Sequence, residues 1–404
     1  MRIRLIADVP LGAFLSGGVD SSAVVALMAG LSKEPVETCS IAFDDARYDE
    51  VRFASMVAKH LGARHHVRRV DPAEFDLVEN LAHVYDEPFA DSSAMPTYRV
   101  CALAREHVTV ALSGDGGDEV FAGYRRYRWH HYEEAVRRRV PQAIRGPLFG
   151  FLGSVYPKMD WAPKPLRAKS TFQALAKDSV AGYFHSVAVV PDGLRQRLYS
   201  SDMIQELHGY HAAEVLRHHM RNAPTDHHLD RVQYADMKTY LPGDILTKVD
   251  RASMAHSLEV RVPILDHQFV EWAAGLSAEL KLRSREGKYL FKKASERLVP
   301  REVLYREKMG FAVPLASWFR GPLRDRTHVA LTGSDLAKSG LVDVKAVELM
   351  FNQHASGVRD HSAGLWSLIM FESFLRQVHG RDSVKPQSVG DVSPHAKGMA
   401  RAHQ

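Results

Sequence analysis

Two short stretches of this sequence combine glycines with side chains that can bind phosphate or a metal ion. They read SGGVDSS at residues 16–22 and SGDGGDE at residues 113–119. Glycines allow a tight turn whose backbone N–H groups face one anion, and a helix N-terminus adds the positive end of its dipole. The hydroxyl groups of Ser16, Ser21 and Ser22 would add further donors. The first stretch therefore predicts a loop that binds phosphate.

Asp20 lies within this predicted phosphate loop, where phosphate would repel an unpaired carboxylate. A bound Mg²⁺ would remove the conflict, because it bridges carboxylate and phosphate oxygens. Asp118 of the second stretch is the other candidate ligand. Two structural alternatives stay open: a simple glycine turn with Asp20 or Ser21 as helix N-cap, and a helix capped by Asp118 with Glu119 in its first turn. Capping by Asp118 would not exclude metal binding.

The elements that must position these stretches alternate between strand and helix up to about residue 128. Patterning predicts strands at 12–16, 36–43, 64–70 and 108–112, and helices at 20–31, 48–61, 73–85 and 94–107. This order predicts an α/β fold with a doubly wound parallel sheet. Parallel sheets bind ligands beyond the carboxyl ends of their strands, which is where both glycine-rich stretches lie. The helix at 20–31 is apolar all round, so we expect it to be buried.

Strand patterns fade after residue 128, and the remainder predicts a mostly helical C-terminal region. We expect a nucleotide-binding α/β core at 1–128, a helical region at 129–230, and a second helical region at 231–380 that completes the active site. The last segment, 381–404, is polar and poor in apolar residues, so we expect it to be disordered.

Composition limits the class of protein. The chain has 404 residues, a net charge of +5 and two cysteines, Cys39 and Cys101, which excludes a disulfide framework and a CxxC site. The start, MRIRLIADVP, lacks the apolar core of a signal peptide, and no apolar run is long enough to span a membrane. We therefore expect a cytoplasmic protein without membrane contact, whose mild positive charge suits an anionic ligand. The nucleotide motifs GxxxxGKS/T and GxGxxG do not occur.

Longer motifs carry a family resemblance. The pattern SGGxDS at 16–21 resembles the pyrophosphate loop of the N-type ATP pyrophosphatases. Further motifs are DEPFADSSAMPTY (86–98), LSGDGGDEVFAGYRRY (112–127), YLPGDILTKVDRASMAHSLEVRVPILD (240–266) and EKMGFAVPLASWF (307–319). Together they make the chain resemble, over most of residues 5–320, the synthetase domain of glutamine-hydrolysing asparagine synthases. The resemblance implies that ATP activates a carboxylate as an acyl-adenylate, and that ammonia then displaces AMP to give an amide.

The resemblance also implies the residues that bind ATP and Mg²⁺. The implied ATP-binding set is Leu15, Ser16, Gly17, Gly18, Asp20, Ser21, Phe43, Ser113 and Gly114. Within this set, residues 16–21 would hold the pyrophosphate, and Leu15 and Phe43 would flank the adenosine. Asp20 and Asp118 would share the Mg²⁺ ion.

Two residues are implied to be catalytic. Asp115 stands where some family members carry Glu, and it would assist formation or aminolysis of the intermediate. Lys288 would place a cation against the negative charge that develops at the α-phosphorus, and Lys308 is the second candidate for this role. A solvated surface position beside Lys292 and Lys293 is the structural alternative for Lys288.

Candidate substrate-binding residues are Asp86, Glu119 and Tyr124. The loop that contains Asp86 and Asp91 could bind a substrate amine, or it could cap the helix that starts near Ser93. The segment 247–266 interleaves charged and apolar residues, which indicates either a buried ion network at the substrate pocket or a charged surface helix.

The implied substrates are ATP, ammonia and a small carboxylate, with aspartate the first candidate, β-aspartyl-AMP the intermediate and asparagine the product. The sequence lacks the glutaminase domain that normally begins this family, with its N-terminal cysteine. We therefore expect ammonia from a missing glutaminase domain, a separate glutaminase subunit or solution. A homodimer is a further expectation.

Two alternatives concern the reaction. The first is a related amidotransferase that acts on a sugar acid, a β-lactam precursor or a peptide. The second is an RNA-modifying ATP pyrophosphatase, raised by the basic and aromatic stretch RRYRWHHYEEAVRRR at 125–139, although we expect no nucleic-acid partner. Adjacent histidines at 65–66, 130–131, 218–219 and 227–228 do not predict a zinc site, because neighbours on a helix do not share a face.

Overall fold

The strands that organise the fold are β1 (Leu11–Phe14), β2 (Glu37–Ala42), β3 (Arg64–Arg69), β4 (Val110–Leu112) and β5 (Glu259–Arg261). They form one parallel sheet in the order β3-β2-β1-β4-β5. A separate antiparallel hairpin pairs β6 (Leu282–Arg283) with β7 (Glu286–Gly287). The computed structural model describes residues 1–43, 50–70, 77–157, 168–306, 313–333 and 335–383.

The helices fall into three groups along the chain. Those of the sheet region are α1 (Val19–Ala29), α2 (Val51–Leu61), α3 (Leu77–Tyr85), α4 (Ala94–Arg105) and α5 (Gly117–Val120). The middle group is α6 (Arg125–Arg139), α7 (Gln142–Val155), α8 (Lys169–Ala176), α9 (Ser179–Val187), α10 (Asp192–Leu198), α11 (Ser201–Glu206), α12 (Ala213–Arg221) and α13 (His228–Lys238). A π-helical segment, Leu241–Leu246, follows α13, and short 3₁₀ turns occur at Arg2–Leu5 and Pro263–Leu265.

The last group of helices begins after the π-helical segment. It contains α14 (Thr247–Met254), α15 (His267–Ala274), α16 (Ala278–Lys281), α17 (Tyr289–Ser295), α18 (Arg301–Leu304), α19 (Leu315–Arg320), α20 (Arg324–Thr332), α21 (Asp335–Lys338), α22 (Val344–Ala355) and α23 (Ser362–Ser383). Among the residues that the structure describes, no helix is both long enough and apolar enough to cross a membrane. The predicted disorder of the tail concerns residues that lie, from 384 onward, outside the described part of the chain.

The parallel sheet and the helical C-terminal region confirm the predicted fold class. Ala13 of β1 lies opposite Thr38 of β2 on one side and Leu112 of β4 on the other. Because β1 is central, the residues that follow it and those that follow β4 emerge at the same sheet edge. The topology therefore places the two glycine-rich stretches side by side.

The region after residue 128 is mostly helical, as expected, but it also supplies a strand that the sequence did not predict. β5 adds to the sheet from the segment 231–320, with Val260 opposite Ala111 of β4. It has three residues, Glu259–Arg261, and lies at the edge of the sheet. A strand this short, with a charged residue at each end, carries too little periodicity to stand out from the surrounding helical pattern.

Helix α1 packs at the centre of the fold, as its apolar sequence predicts. Its residues from Ser21 to Ala26 are buried, whereas Leu27 is 44% exposed. The buried face joins a core cluster with β1, α2 and residues Val299–Leu304 around α18. This burial makes α1 a rigid base for the turn that precedes it.

Candidate active site

The first glycine-rich stretch forms a turn between β1 and α1, pressed against the first turn of α2. Gly17 has a positive φ of 67°, and a Cβ there would lie 2.5 Å from the backbone nitrogen of Ala54. Glycine alone fits this conformation and close approach without strain. Oγ of Ser16 lies 3.0 Å from Oγ of Ser21 and accepts the N–H of Gly18 at 3.3 Å. Helix packing and side-chain hydrogen bonds thus fix the turn from both sides.

The helix caps in both stretches are glycines. Gly18 is the N-cap of α1 and Gly116, with a φ of 84°, is the N-cap of α5, and neither helix has a side-chain cap. The alternatives that gave capping roles to Asp20, Ser21 or Asp118 are therefore wrong. Asp20 and Asp118 lie in the first turns of their helices instead, where the helix dipole favours negative charge.

The two glycine-rich stretches touch each other. A Cβ on Gly114 would lie 2.5 Å from the backbone nitrogen of Ser21, and a Cβ on Gly117 would clash with a carboxylate oxygen of Asp20. The two glycines are needed because the turns approach more closely than any side chain allows. As a result, the first turns of α1 and α5 point their acidic residues into one space.

Lys288 connects the two stretches. Its Nζ lies 2.9 Å from Oδ1 of Asp118 and donates a hydrogen bond to Oδ2 of Asp20. The residue follows the β6–β7 hairpin as the N-cap of α17, and its backbone N–H donates to the carbonyl of Phe121 at 2.9 Å. Its side chain is 6% exposed, so the solvated-surface alternative is wrong. Burial disfavours its charge, but Asp118 and Asp20 outweigh burial and raise the pKa of Lys288 above its usual value.

The donor set fits a magnesium ion. Asp20 and Asp118 direct carboxylate oxygens to one cation position, which the ammonium of Lys288 marks. Mg²⁺ prefers oxygen ligands and binds through one or two carboxylates together with substrate phosphates and water. Within the described ranges, no group of three or more His, Cys, Asp or Glu side chains forms a metal cluster. A magnesium ion here would therefore use phosphate or water oxygens to complete its coordination.

Ser113 and Asp115 lie in the turn after β4 and bond to each other. The N–H of Ser113 donates to the carbonyl of Arg261 at the end of β5 at 2.8 Å, and its hydroxyl donates to Oδ2 of Asp115 at 2.5 Å. Burial raises the pKa of Asp115, and the hydrogen bond from Ser113 opposes this rise. The fifth strand, which the sequence did not predict, therefore helps to hold the turn that carries Asp115.

Glu119 and Tyr124 form a second buried pair beside this turn. The hydroxyl of Tyr124 donates to Oε1 of Glu119 at 2.7 Å, and the guanidinium of Arg126 packs 3.9 Å from the centre of the Tyr124 ring. Burial, reinforced by the charge of Asp118, raises the pKa of Glu119 to about 7. Glu119 can therefore exchange a proton near neutral pH, which suits a group that handles an amine. Substrate binding by this pair stays a prediction.

Asp86 lies in the same loop as Asp91, but the two have different surroundings. The carboxylate of Asp86 is 56% exposed and pairs with Arg251 at 3.3 Å. Asp91 is paired with the buried Lys248, whose Nζ lies 2.6 Å from Oδ2 of Asp91 and 2.7 Å from Oγ of Ser93. Asp91 also accepts the N–H of Ser93 at 2.9 Å, immediately before α4. Ser93 is the N-cap of α4 and the helix has no side-chain cap, so the helix-capping alternative is wrong and Asp91 instead holds the cap residue.

Lys248, one of the charged residues in the expected ion network, forms a cluster with Asp91 and Asp244, which lie outside segment 247–266 and were not predicted as its partners. Oδ1 of Asp244 lies 3.9 Å from Nζ of Lys248. Burial, together with the charge of Asp91, raises the pKa of Asp244 to about 7. The positive charge of Lys248 opposes the rise in the pKa of Asp115, so the cluster acts electrostatically on the predicted catalytic carboxylate. Asp244 and Lys248 are four residues apart, and this spacing in a helical segment was the sequence signal that could have predicted their pairing.

The expected buried ion network at 247–266 is correct for Lys248 alone among its charged residues. The others are exposed or only partly buried: Asp250, Arg251, Glu259, Arg261 and Asp266. Arg261 donates to the backbone carbonyl of Arg4 at 2.9 Å, and Asp266 pairs with the guanidinium of Arg4 at 3.3 Å. Both contacts attach the N-terminal turn to the sheet edge.

Leu15 and Phe43 lie just beyond the carboxyl ends of neighbouring strands, β1 and β2. Both side chains are buried, in two different core clusters. Their contact with adenosine stays a prediction. Lys308, the second candidate for the catalytic cation, lies outside the described residues.

Helix α6, which carries the basic and aromatic stretch, turns part of its charge inward. Asp236 on α13 accepts hydrogen bonds on Oδ2 from Arg126 at 2.8 Å, Tyr127 at 2.7 Å and Tyr183 at 2.6 Å. Asp236 lies seven residues after Leu229, on the apolar face of α13. A carboxylate on this face indicates a buried side chain that needs partners, and the sequence analysis did not use this signal.

Histidines of two helical segments also meet in this region. Nε2 of His228 lies 2.8 Å from Nδ1 of His131, and burial lowers the pKa of His228 to about 4. This contact joins histidines from two distant segments of the chain, so the adjacent histidines at 130–131 and 227–228 do not predict it.

The fold and site define a class: α/β proteins with a ligand site at the carboxyl ends of a parallel sheet, here formed by two glycine-rich turns and a buried lysine. The chain belongs to the asparagine synthase family, whose model matches residues 1–376. At the level of the family, this membership corresponds to ATP-dependent amide synthesis.

Curated relatives match nearly the whole chain. It is 35% identical over 389 residues to a putative glutamine-hydrolysing asparagine synthetase of Mycobacterium tuberculosis, which covers 94% of this chain and 56% of the relative. It is 29% identical over 376 residues to asparagine synthetase 1 of Bacillus subtilis, covering 92% and 56% respectively. It is also 26% identical over 388 residues to the amidase chry2 of Gibberella zeae, covering 86% and 56%. The chain thus spans about half the length of these relatives.

Proposed function

We propose that this chain forms amide bonds at the expense of ATP, with aspartate as the carboxylate and asparagine as the product. The observation that carries the proposal is the meeting of Asp20 and Asp118 around the ammonium of Lys288. A carboxylate in the first turn of each of α1 and α5, together with a lysine that precedes α17, suits a metal-bound triphosphate. The relatives are named asparagine synthetases, and these names support the choice of aspartate as substrate.

In the proposed reaction, a carboxylate oxygen of aspartate attacks the α-phosphorus of ATP. The bond from this phosphorus to the bridging oxygen breaks, which gives β-aspartyl-AMP and pyrophosphate. The nitrogen of ammonia then attacks the acyl carbon, loses a proton, and displaces AMP. Both steps develop negative charge on phosphate oxygens, so a fixed cation lowers their barriers.

The residues have distinct proposed roles. Backbone N–H groups at Gly17 and Gly18, with the hydroxyls of Ser16 and Ser21, would bind the pyrophosphate. Lys288 would neutralise charge at the α-phosphoryl group. Mg²⁺, held by Asp20 and Asp118, would supply further positive charge to the phosphates.

Two acidic groups serve the second half of the proposed reaction. Asp115, whose pKa is raised by burial, would assist formation or aminolysis of the acyl-adenylate. Glu119, which titrates near neutral pH and bonds to Tyr124, would bind the incoming amine and accept its proton. Ammonia would come from a glutaminase domain, a glutaminase partner or solution.

The second candidate function is amidation of a different carboxylate. Relatives named amidases support it, because chry2 and the 25% identical chyE of Penicillium rubens each cover 86% of this chain. The RNA-modifying alternative has less support, since Arg126 and Arg137 of α6 are paired with carboxylates of the protein itself.

The test is pyrophosphate release with Mg-ATP, an ammonium salt and a panel of carboxylates, with the amide identified by mass spectrometry. Release that depends on aspartate, with asparagine as product, supports the proposal. Release only with another carboxylate supports the second candidate. No pyrophosphate with any carboxylate, from a protein that is folded by circular dichroism, would overturn both. Asp118→Ala is the matched inactive control.

A further inference from the structure

Arg306, which follows α18, reaches back to the first glycine-rich turn. Its Nε donates to the carbonyl oxygen of Gly17 at 3.1 Å. Its Nη2 is hydrogen-bonded to Oε1 of Glu50, and its guanidinium lies 4.7 Å from the centre of the Phe53 ring. Only 9% of the Arg306 side chain is exposed. One side chain thus joins the end of α18 to the turn and to the start of α2.

The contacts of Arg306 act on a turn that already touches α2. Glu50 is the N-cap of α2, and its carbonyl accepts the N–H of Phe53 at 3.0 Å. Gly17 packs against the same helix turn, with its α-carbon too close to Phe53 to carry a Cβ. Arg306 therefore completes a three-part contact in which the turn, α2 and the C-terminal segment hold one another.

The bond to Gly17 fixes the direction of a peptide group. Gly17 and Gly18 are joined by a trans, planar peptide, in which the C=O and the following N–H point in opposite directions. With the carbonyl of Gly17 held by Arg306, the N–H of Gly18 must face the other way, toward the interior of the turn. There it meets Oγ of Ser16 at 3.3 Å. The orientation of the Gly18 N–H, one of the proposed pyrophosphate donors, is thus determined from outside the turn.

The charge of Arg306 is balanced where it lies. The carboxylate of Glu50, which is 11% exposed, accepts a hydrogen bond from Nη2 of Arg306. Because Glu50 neutralises its charge, the buried arginine adds little electric field at a bound phosphate. Its planar guanidinium, with N–H donors in fixed directions, instead holds the groups that accept its hydrogen bonds in position. The effect of this residue should therefore be on the shape of the turn.

We propose that Arg306 is a positioning residue that sets the Gly17–Gly18 peptide for pyrophosphate binding. The inference rests on the proposed function, because it assigns pyrophosphate to this turn. Removal of Arg306 lets the peptide rotate, so the N–H of Gly18 no longer has one direction. The affinity for the pyrophosphate part of ATP should fall, and recognition of the carboxylate substrate should not.

The experiment measures binding of magnesium pyrophosphate and of Mg-ATP by calorimetry, with KM values for ATP and for the carboxylate. Arg306→Ala should weaken binding of both phosphate ligands about ten- to a hundred-fold and raise the KM for ATP, which corresponds to the loss of one charge-assisted hydrogen bond. Arg306→Lys, which keeps the charge without the planar fork, should recover part of the affinity. Arg301→Ala, an exposed neighbour on α18, should bind like the wild type.

The outcomes separate this inference from the function on which it rests. If Arg306→Ala is folded and binds pyrophosphate like the wild type, the positioning role is wrong. The positioning role is also wrong if the KM values of Arg306→Ala for ATP and for the carboxylate rise together. If Arg306→Ala does not fold, Arg306→Lys replaces it in the test, and wild-type binding of pyrophosphate by Arg306→Lys would contradict the role. A wild type that binds pyrophosphate but forms no amide overturns the proposed function alone. A wild type that does not bind pyrophosphate overturns both.

Discussion

Nζ of Lys288 lies 2.9 Å from Oδ1 of Asp118, and this contact closes the candidate active site across distant parts of the chain. Asp118 is in the first turn of α5, whereas Lys288 precedes α17. Gly123 lies beside both, because a Cβ there would clash with the Asp118 carboxylate and with Cε of Lys288. The backbone at Gly123 therefore limits the space for the Lys288 side chain, and the carboxylates of Asp118 and Asp20 hold its ammonium group.

Replacement of Lys288 by methionine should remove both activity and stability. The neutral chain removes the buried positive charge that Asp20 and Asp118 share, and loss of one member of a buried ion pair costs about 3–5 kcal/mol. Pyrophosphate release should fall by about a hundred-fold or more, because a cation at the transition state is lost. Denaturant titration and initial rates of release measure the two effects.

Lys293→Met is the control for Lys288→Met. Lys293 is 43% exposed and pairs with Glu296 at 2.8 Å on the same helix, so Lys293→Met should leave stability close to that of the wild type. Added magnesium should restore stability to Lys288→Met more than to the wild type, since the ion can replace the lost ammonium. Equal stabilisation of both proteins would contradict a shared cation position.

Gly114 is expected to tolerate no side chain. A Cβ would lie 2.5 Å from the backbone nitrogen of Ser21 and 2.8 Å from the carbonyl carbon of Asp20, and neither backbone atom can rotate away. Gly114→Ala should therefore push the two turns apart, lower stability by about 1–3 kcal/mol and raise the KM for ATP. Gly150→Ala, within α7 and with no atom near the new Cβ, should instead raise stability by about 0.5–1 kcal/mol. Thermal unfolding of both variants decides the prediction.

Asp236 should contribute more to stability than any surface carboxylate. Three donors, from Arg126, Tyr127 and Tyr183, share its Oδ2, and its side chain is 2% exposed. Asp236→Ala should cost about 3–5 kcal/mol, because it leaves a buried guanidinium without its carboxylate. Glu214→Ala, which breaks an exposed pair with Arg217, should cost less than about 1 kcal/mol. A small loss at Asp236 would show that the network relaxes around other partners.

The sequence predicted the parts of the site that depend on local pattern. Glycines followed by Asp20 and Asp118 at strand ends indicated a loop pair, and β–α alternation brought the pair to one sheet edge. The partners of Lys248 and the role of Asp236 were not predicted, because each depends on a contact with a distant segment. Their partners Asp91 and Arg126 are joined to them by tertiary packing, which no local period encodes.

Asp244 should make stability depend on pH in a defined direction. Burial and the charge of Asp91 raise its pKa from the usual 3.8 to about 7, so between these values the folded protein keeps a proton that the unfolded chain releases. Stability from this group is therefore highest below the lower value and is lost as the pH rises, with a slope of at most about 1.4 kcal/mol per pH unit.

Asp244→Asn isolates this contribution, because the amide cannot titrate. The free energy of unfolding of the wild type, minus that of the variant, should decrease from pH 4 toward pH 7 and then level off, as follows from a folded pKa of about 7. Asp250→Asn, on the exposed face of α14, is the matched control for the loss of a carboxylate. A difference that stays constant with pH would mean that Lys248 holds Asp244 ionised, and the cluster would then carry one more negative charge beside Asp115.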